Sequence, residues 1–117
     1  MREAKTMLED QGYVVSDHSK GACYDYLASR EDEKIFVEVK GTTGPLGTIL
    51  LTANEVAHHQ KHFPNNALIV VHSISLERHI RTPRASGGTL VRFQPWLLAE
   101  DALTPIAFQY AGLAQAN

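Results

Sequence analysis

The chain has 117 residues, 44% of them hydrophobic, with 11 basic and 13 acidic side chains and a formal net charge of −2 when histidine is neutral. That length suits one domain and leaves little room for two. The charge excludes the bulk signature of a strong nucleic-acid binder, which carries a clear basic excess, so any such contact must come from a local patch or a partner. One cysteine, Cys23, excludes an intrachain disulfide and points to a reducing compartment. No apolar run is long enough to span a bilayer, and the start has no signal-peptide core. The expectation is a cytoplasmic domain, residues 1–117, with no membrane partner. It is expected to be cut from a longer multidomain protein, because it starts inside a helical pattern.

In chain order, Ala4, Met7 and Leu8 have the spacing of one helix face, which predicts a helix over Arg2 to Gln11 stopped by Gly12. Tyr13 to Val15 reads as a short strand, and Ser16 to Gly21 as a loop. Tyr24 to Ser29 and Ile35 to Lys40 read as two strands of an antiparallel hairpin around the charged turn Arg30 to Lys34. Gly41 to Gly47 breaks regular structure, and Thr48 to Leu51 is a candidate extended piece. Thr52 and Glu55 have the spacing of a capping box, predicting a second helix from Thr52 to about His62, ahead of Pro64. Ala67 to Val71 is continuously apolar, as a strand buried on both faces is. A strand, a helix and a buried strand in series predict a parallel pair. Further on, the reading is a turn at Gly87-Gly88, a strand over Leu90 to Phe93, a short helix over Pro95 to Asp101 and a last strand over Ile106 to Tyr110. The fold class expected is α/β: a central mixed sheet flanked by helices, in the order α-β-β-β-α-β.

Side chains alternate along a strand, so Ile35, Val37 and Val39 share one face and Phe36, Glu38 and Lys40 the other. Hairpin pairing can bring Asp25 near Glu38. Two converging carboxylates repel each other, and a hard divalent cation relieves the repulsion. Mg²⁺ is held by one or two carboxylates and keeps several waters and phosphate oxygens. A lysine beside such a site can orient the attacking water or help deprotonate it. This set suits hydrolysis of a phosphodiester. Taken alone, Glu38-Val39-Lys40 is also what any half-exposed strand looks like.

The wider pattern decides between these readings. Tyr24-Asp25-Tyr26, then Phe36-Val37-Glu38-Val39-Lys40-Gly41, then Leu51-Thr52-Ala53-Asn54-Glu55 resembles the PD-(D/E)XK nuclease superfamily. More closely it resembles the NO VEIN C-terminal-like domain, a family often attached to helicase-like and restriction-like proteins. Glu3, Met7 and Gly12 resemble that family's leading helix, and the likeness covers roughly the first two thirds of the chain. The resemblance implies a restriction-endonuclease-like core. It implies Asp25 and Glu38 as ligands of Mg²⁺, with Mn²⁺ as a substitute, the carbonyl of Val39 as a third ligand, and Lys40 serving the attacking water. Glu3 would assist at the metal, although a first-turn acid that favours the helix dipole explains it equally. Tyr24 stands where the superfamily has proline, and Cys23 where a glycine is common.

Other residues have two readings each. Lys20, Thr42 and Thr43 are candidate DNA phosphate contacts, against a solvated lysine and a plain turn. Arg78, Arg81, Arg84 and Arg92 form a basic stretch without acids, suited to the DNA backbone or to a solvated loop. His58 and His62, one helical turn apart, lack a third zinc ligand and read as a polar helix face, with His59 flanking it. Glu55 reads as a cap, and Trp96 as core or dimer surface. The function expected is a Mg²⁺-dependent DNA endonuclease module in restriction or phage defence. It would act as a homodimer, with fused or associated helicase-like domains. The alternative is a catalytically silent nuclease fold kept for DNA binding, sensing or oligomerisation.

Overall fold

The computed structural model describes residues 2–77 and 84–115. Helix α1 (Arg2–Asp10) buries Ala4 and Leu8, two of the residues whose spacing predicted it. Gly12 ends it at φ 92°, a left-handed conformation that suits glycine. There the N–H of Gly12 reaches the carbonyl of Glu9 at 3.0 Å, and that of Tyr13 the carbonyl of Leu8 at 3.1 Å. These two bonds satisfy carbonyls that the helix end would leave open.

The chain then runs through β1 (Val14–Asp17), β2 (Tyr26–Arg30) and β3 (Glu33–Gly41), which pair antiparallel in sequence. Helix α2 (Ala53–His62) carries it over to β4 (Asn66–His72), which lies parallel to β3. A small two-stranded sheet follows, β5 (Ser75–Glu77) with β6 (Arg84–Ser86), and β7 (Thr89–Phe93) returns antiparallel to β4. The main sheet has the order β1-β2-β3-β4-β7, so β3 and β4 are central. The class is α/β with a mixed sheet, and its first six elements follow the predicted order.

The register sorts the side chains. Val37 lies opposite Tyr26 and Ala67, and Val39 opposite Ile69. These residues, with Ala4 and Leu8 of α1, make the main apolar core. Glu38 lies opposite Leu68, and Lys40 opposite Val70, on the other face. That face carries α2, whose capping box is formed: Glu55 N–H donates to the Thr52 hydroxyl, and the Glu55 carboxylate accepts from Thr52 N–H.

Two sequence expectations are corrected, and one pair of strands is new. Thr48 to Leu51, expected as an extended piece, lies outside the sheet and leads into α2. Pro95 to Asp101 is not a helix; only a 3₁₀ turn, Glu100–Ala102, forms there. The reason is that Asn66 takes both backbone groups of Trp96: Trp96 N–H donates to Asn66 Oδ1 at 3.1 Å, and Asn66 Nδ2 donates to Trp96 O at 2.9 Å. Ile106 to Tyr110 forms no strand, and its apolar side chains stay outside, with Phe108 95% exposed. The β5–β6 hairpin was not anticipated, since neither three-residue strand is long enough to show a period.

Gly88 has φ 96°, and a Cβ placed there would stand 3.0 Å from Val71 Cγ1 and 3.1 Å from the carbonyl oxygen of His72. The predicted Gly87-Gly88 turn therefore lets β7 approach β4 closely. Among the described residues, no helix is long and apolar enough to cross a membrane.

Candidate functional site

The site grows from the end of β2. Asp25 lies just before Tyr26, where the ladder to β3 runs out, and its backbone N–H still reaches the carbonyl of Val37 at 2.9 Å. Its carboxylate then replaces the missing strand: Val39 N–H donates to Asp25 Oδ2 at 2.8 Å. This fixes the Asp25 carboxylate against β3, beside Glu38. The contact seen at Val39 is thus through its N–H, which positions Asp25.

Glu38 is only 1% exposed, an unusual position for a carboxylate. Burial pushes its pKa up to about 9, helped by hydrogen bonding and charge from Asp25 and by the charge of Glu55, and opposed by Lys40. Oε1 of Glu38 is buried with no hydrogen-bond partner. Oε2 lies 3.7 Å from Lys40 Nζ.

Lys40 does not point freely to solvent. Its Nζ lies 3.1 Å from Glu55 Oε1 and 3.3 Å from Oε2, so the first turn of α2 holds it over Glu38. Burial tends to raise the pKa of Glu55, but the Thr52 N–H and Lys40 outweigh it and hold the carboxylate below its ordinary value. Glu55 is therefore both the helix cap and the partner of Lys40. The sequence showed the cap through its spacing, and gave no sign of the lysine contact.

His59 is a correction to the sequence reading. It is fully buried, not part of a polar helix face. Its Nε2 lies 3.5 Å from Glu38 Oε1, and burial lowers its pKa to about 4, so the ring is neutral at pH 7. His58 and His62 are half-buried as well, packed with Tyr24 and Phe36; the His58 ring stacks on Tyr24 with centroids 4.8 Å apart. One available signal was that Glu55 and His59 are four apart, and so share a side of α2.

The remaining candidates lie elsewhere. Glu3 is exposed on the first turn of α1, where a backbone hydrogen bond keeps its pKa below the ordinary value. The carboxylates that act on Glu38 are Asp25 and Glu55. Lys20 is exposed in the loop before Asp25, and Thr43 is exposed after β3. Thr42 is tied into the turn: its N–H donates to Val71 O at 2.9 Å, and its hydroxyl accepts from Gly44 N–H at 3.0 Å. Arg78 and Arg81 lie outside the described residues, and Arg84 opens β6. Arg92 lies opposite Ile69, on the α1 face, where it donates to Gln11 Oε1 at 2.6 Å. It is thus across the sheet from Lys40. A cavity of about 770 Å³ on that side, lined by Tyr13, Arg30, Glu33 and Arg92, is also remote from Glu38.

Among the described residues, no three His, Cys, Asp or Glu side chains form a ready metal cage. Mg²⁺ does not need one, since one or two carboxylates suffice when waters and substrate complete its shell. The residues present fit that demand: a buried carboxylate with an unpartnered oxygen, coupled to a second carboxylate fixed by a backbone N–H. Zinc in a closed tetrahedral site does not fit.

Comparison with known proteins gives a match over residues 1–82 to the family described as Protein NO VEIN, C-terminal. No curated protein matches, and no solved structure matches.

Proposed function

This chain belongs to the NO VEIN C-terminal family, and we propose that within it the domain is a Mg²⁺-dependent endonuclease of the PD-(D/E)XK type acting on DNA. The observation that carries the proposal is Glu38: a buried carboxyl, raised to about 9, coupled to Asp25 and with Oε2 3.7 Å from Lys40 Nζ. A structural strand gains nothing from such a group, because burying a carboxyl this deeply costs stability. Perturbed groups of this kind cluster at functional sites.

In this reading Asp25 and Glu38 hold the divalent ion, which would neutralise them and stabilise charge developing on the phosphate. Val39 N–H keeps the Asp25 carboxylate in place before substrate arrives. Lys40, held by Glu55, orients the attacking water and the phosphate from one fixed side. Lys20 and Thr43, both exposed, would meet the phosphate backbone in this reading. Two copies acting together would cut both strands. Association with helicase-like domains and a role in defence belong to the same proposal.

The seat of Arg92 across the sheet from Lys40, away from the carboxylates, favours one second reading: a nuclease fold that binds or senses DNA without cutting it. Supercoiled plasmid with Mg²⁺ or Mn²⁺ separates the two. Cleavage that stops with EDTA and in Glu38→Ala and Lys40→Ala supports the enzyme. A gel shift that survives EDTA, with no cleavage under any of these conditions, supports the binding module.

A further inference from the structure

Two buried atoms near the site face each other without conventional partners, Glu38 Oε1 and His59 Nε2, 3.5 Å apart. Which of them carries a proton follows from a chain of contacts that starts at Trp96. The backbone of Trp96 offers one N–H and one carbonyl to the Asn66 amide, and this fixes the amide's orientation: Oδ1 accepts at 3.1 Å and Nδ2 donates at 2.9 Å. Asn66 is fully buried, so the amide has no solvent alternative. Its second Nδ2 hydrogen is directed at His59, whose Nδ1 and carbonyl both lie at 3.3 Å. A proton on Nδ1 would meet this N–H donor head-on and find no acceptor there, which favours a bare Nδ1. The ring proton of neutral His59 then sits on Nε2 and points at Glu38 Oε1.

We infer that His59 is a positioning residue for the divalent-ion site: its Nε2–H, set by Asn66, orients the Glu38 carboxylate by holding Oε1 and leaving Oε2 on the side of Lys40. The inference rests on the proposed role of Glu38 as a metal ligand. It adds a support that runs from Trp96 through Asn66 and His59 to Glu38, and it joins α2, β4 and the segment after β7 to the site. Groups that orient a metal ligand in this way typically change metal affinity 10- to 100-fold, roughly, when removed. The pairing also accounts for a histidine that is 0% exposed on a helix with polar neighbours.

The test uses the whole chain and Mn²⁺ alone, measured by calorimetry, with no substrate. His59→Phe keeps a ring in the buried space and removes the donor. It is expected to weaken Mn²⁺ binding about 10- to 100-fold, and His59→Gln, which restores an N–H donor, is expected to recover most of the loss. Unchanged Mn²⁺ affinity in a folded His59→Phe, or no recovery in a folded His59→Gln, overturns the inference and leaves the metal site standing. Absence of Mn²⁺ binding in the wild type defeats the proposed function itself, and this inference with it. Should His59→Phe fail to fold, long-range ¹H–¹⁵N spectra of the wild-type imidazole decide: a proton on Nε2 with Nδ1 bare is expected, and a proton on Nδ1 overturns the inference.

Discussion

Glu38→Gln should make the metal-free domain more stable, and the gain should depend on pH in a calculable way. The ordinary carboxyl value of 4.5 is raised to about 9 in the folded chain, mainly by burial. Between these values the folded state holds a proton that the unfolded state has released. A raised value contributes stability that is fully present below pH 4.5 and is lost as pH rises toward 9. Each unit is worth about 1.4 kcal/mol, so at pH 7, some 2.5 units above the unfolded value, the loss is about 3 kcal/mol. Glutamine has the shape of the protonated acid and no proton to take up, so the variant escapes this loss. In EDTA at pH 7, thermal or urea unfolding should show Glu38→Gln more stable by about 3 kcal/mol, roughly 12 °C at 4 °C per kcal/mol for a domain of this size. At pH 4.5 the two proteins should melt together. His59 also changes stability with pH: its lowered value of about 4 gives stability that is present above 6.5 and lost as pH falls toward 4. Both proteins carry His59, and comparing them above pH 6.5, where its contribution is fully present, isolates the Glu38 effect. Equal stability at pH 7, or a difference that does not change with pH, would refute the reasoning.

Other expected outcomes concern the same site and its supports. Mn²⁺ at one hundred times its dissociation constant should stabilise the wild type by about 2.7 kcal/mol and leave Glu38→Gln unmoved, as thermal shift would show. Thr52→Ala removes one half of the capping box and should cost about 1 kcal/mol in urea unfolding. Glu55→Ala should cost more, since it also strips Lys40 of its 3.1 Å partner, and plasmid cleavage should fall with it; a loss no larger than that of Thr52→Ala would sink the idea that Glu55 holds Lys40. Gly88→Ala should destabilise the fold by more than about 1 kcal/mol, because it forces a side chain into φ 96° and against Val71 and His72; urea midpoints check this.

Periodic and local signals determined much of this protein. Alternation in Ile35 to Lys40 placed Glu38 and Lys40 on one face, and apolar continuity in Ala67 to Val71 placed β4 at the centre of the sheet. The capping spacing of Thr52 and Glu55 started α2, and Gly12 ended α1, because caps act over a few residues of chain. The triplet Asp25, Glu38 and Lys40 was legible for the same reason: hairpin register is a local matter. What needed the tertiary structure was everything set by contact between elements far apart in sequence. Packing α2 on the sheet buried His59 against Glu38 and brought Glu55 to Lys40, whereas in the sequence both looked like members of a polar helix face and a cap. Asn66 is a lone amide at the start of an apolar strand, and only its bonds to Trp96, thirty residues on, give it a role and stop the predicted helix there. The extreme burial of Glu38 was likewise invisible, because alternation says which way a side chain points and not what covers it.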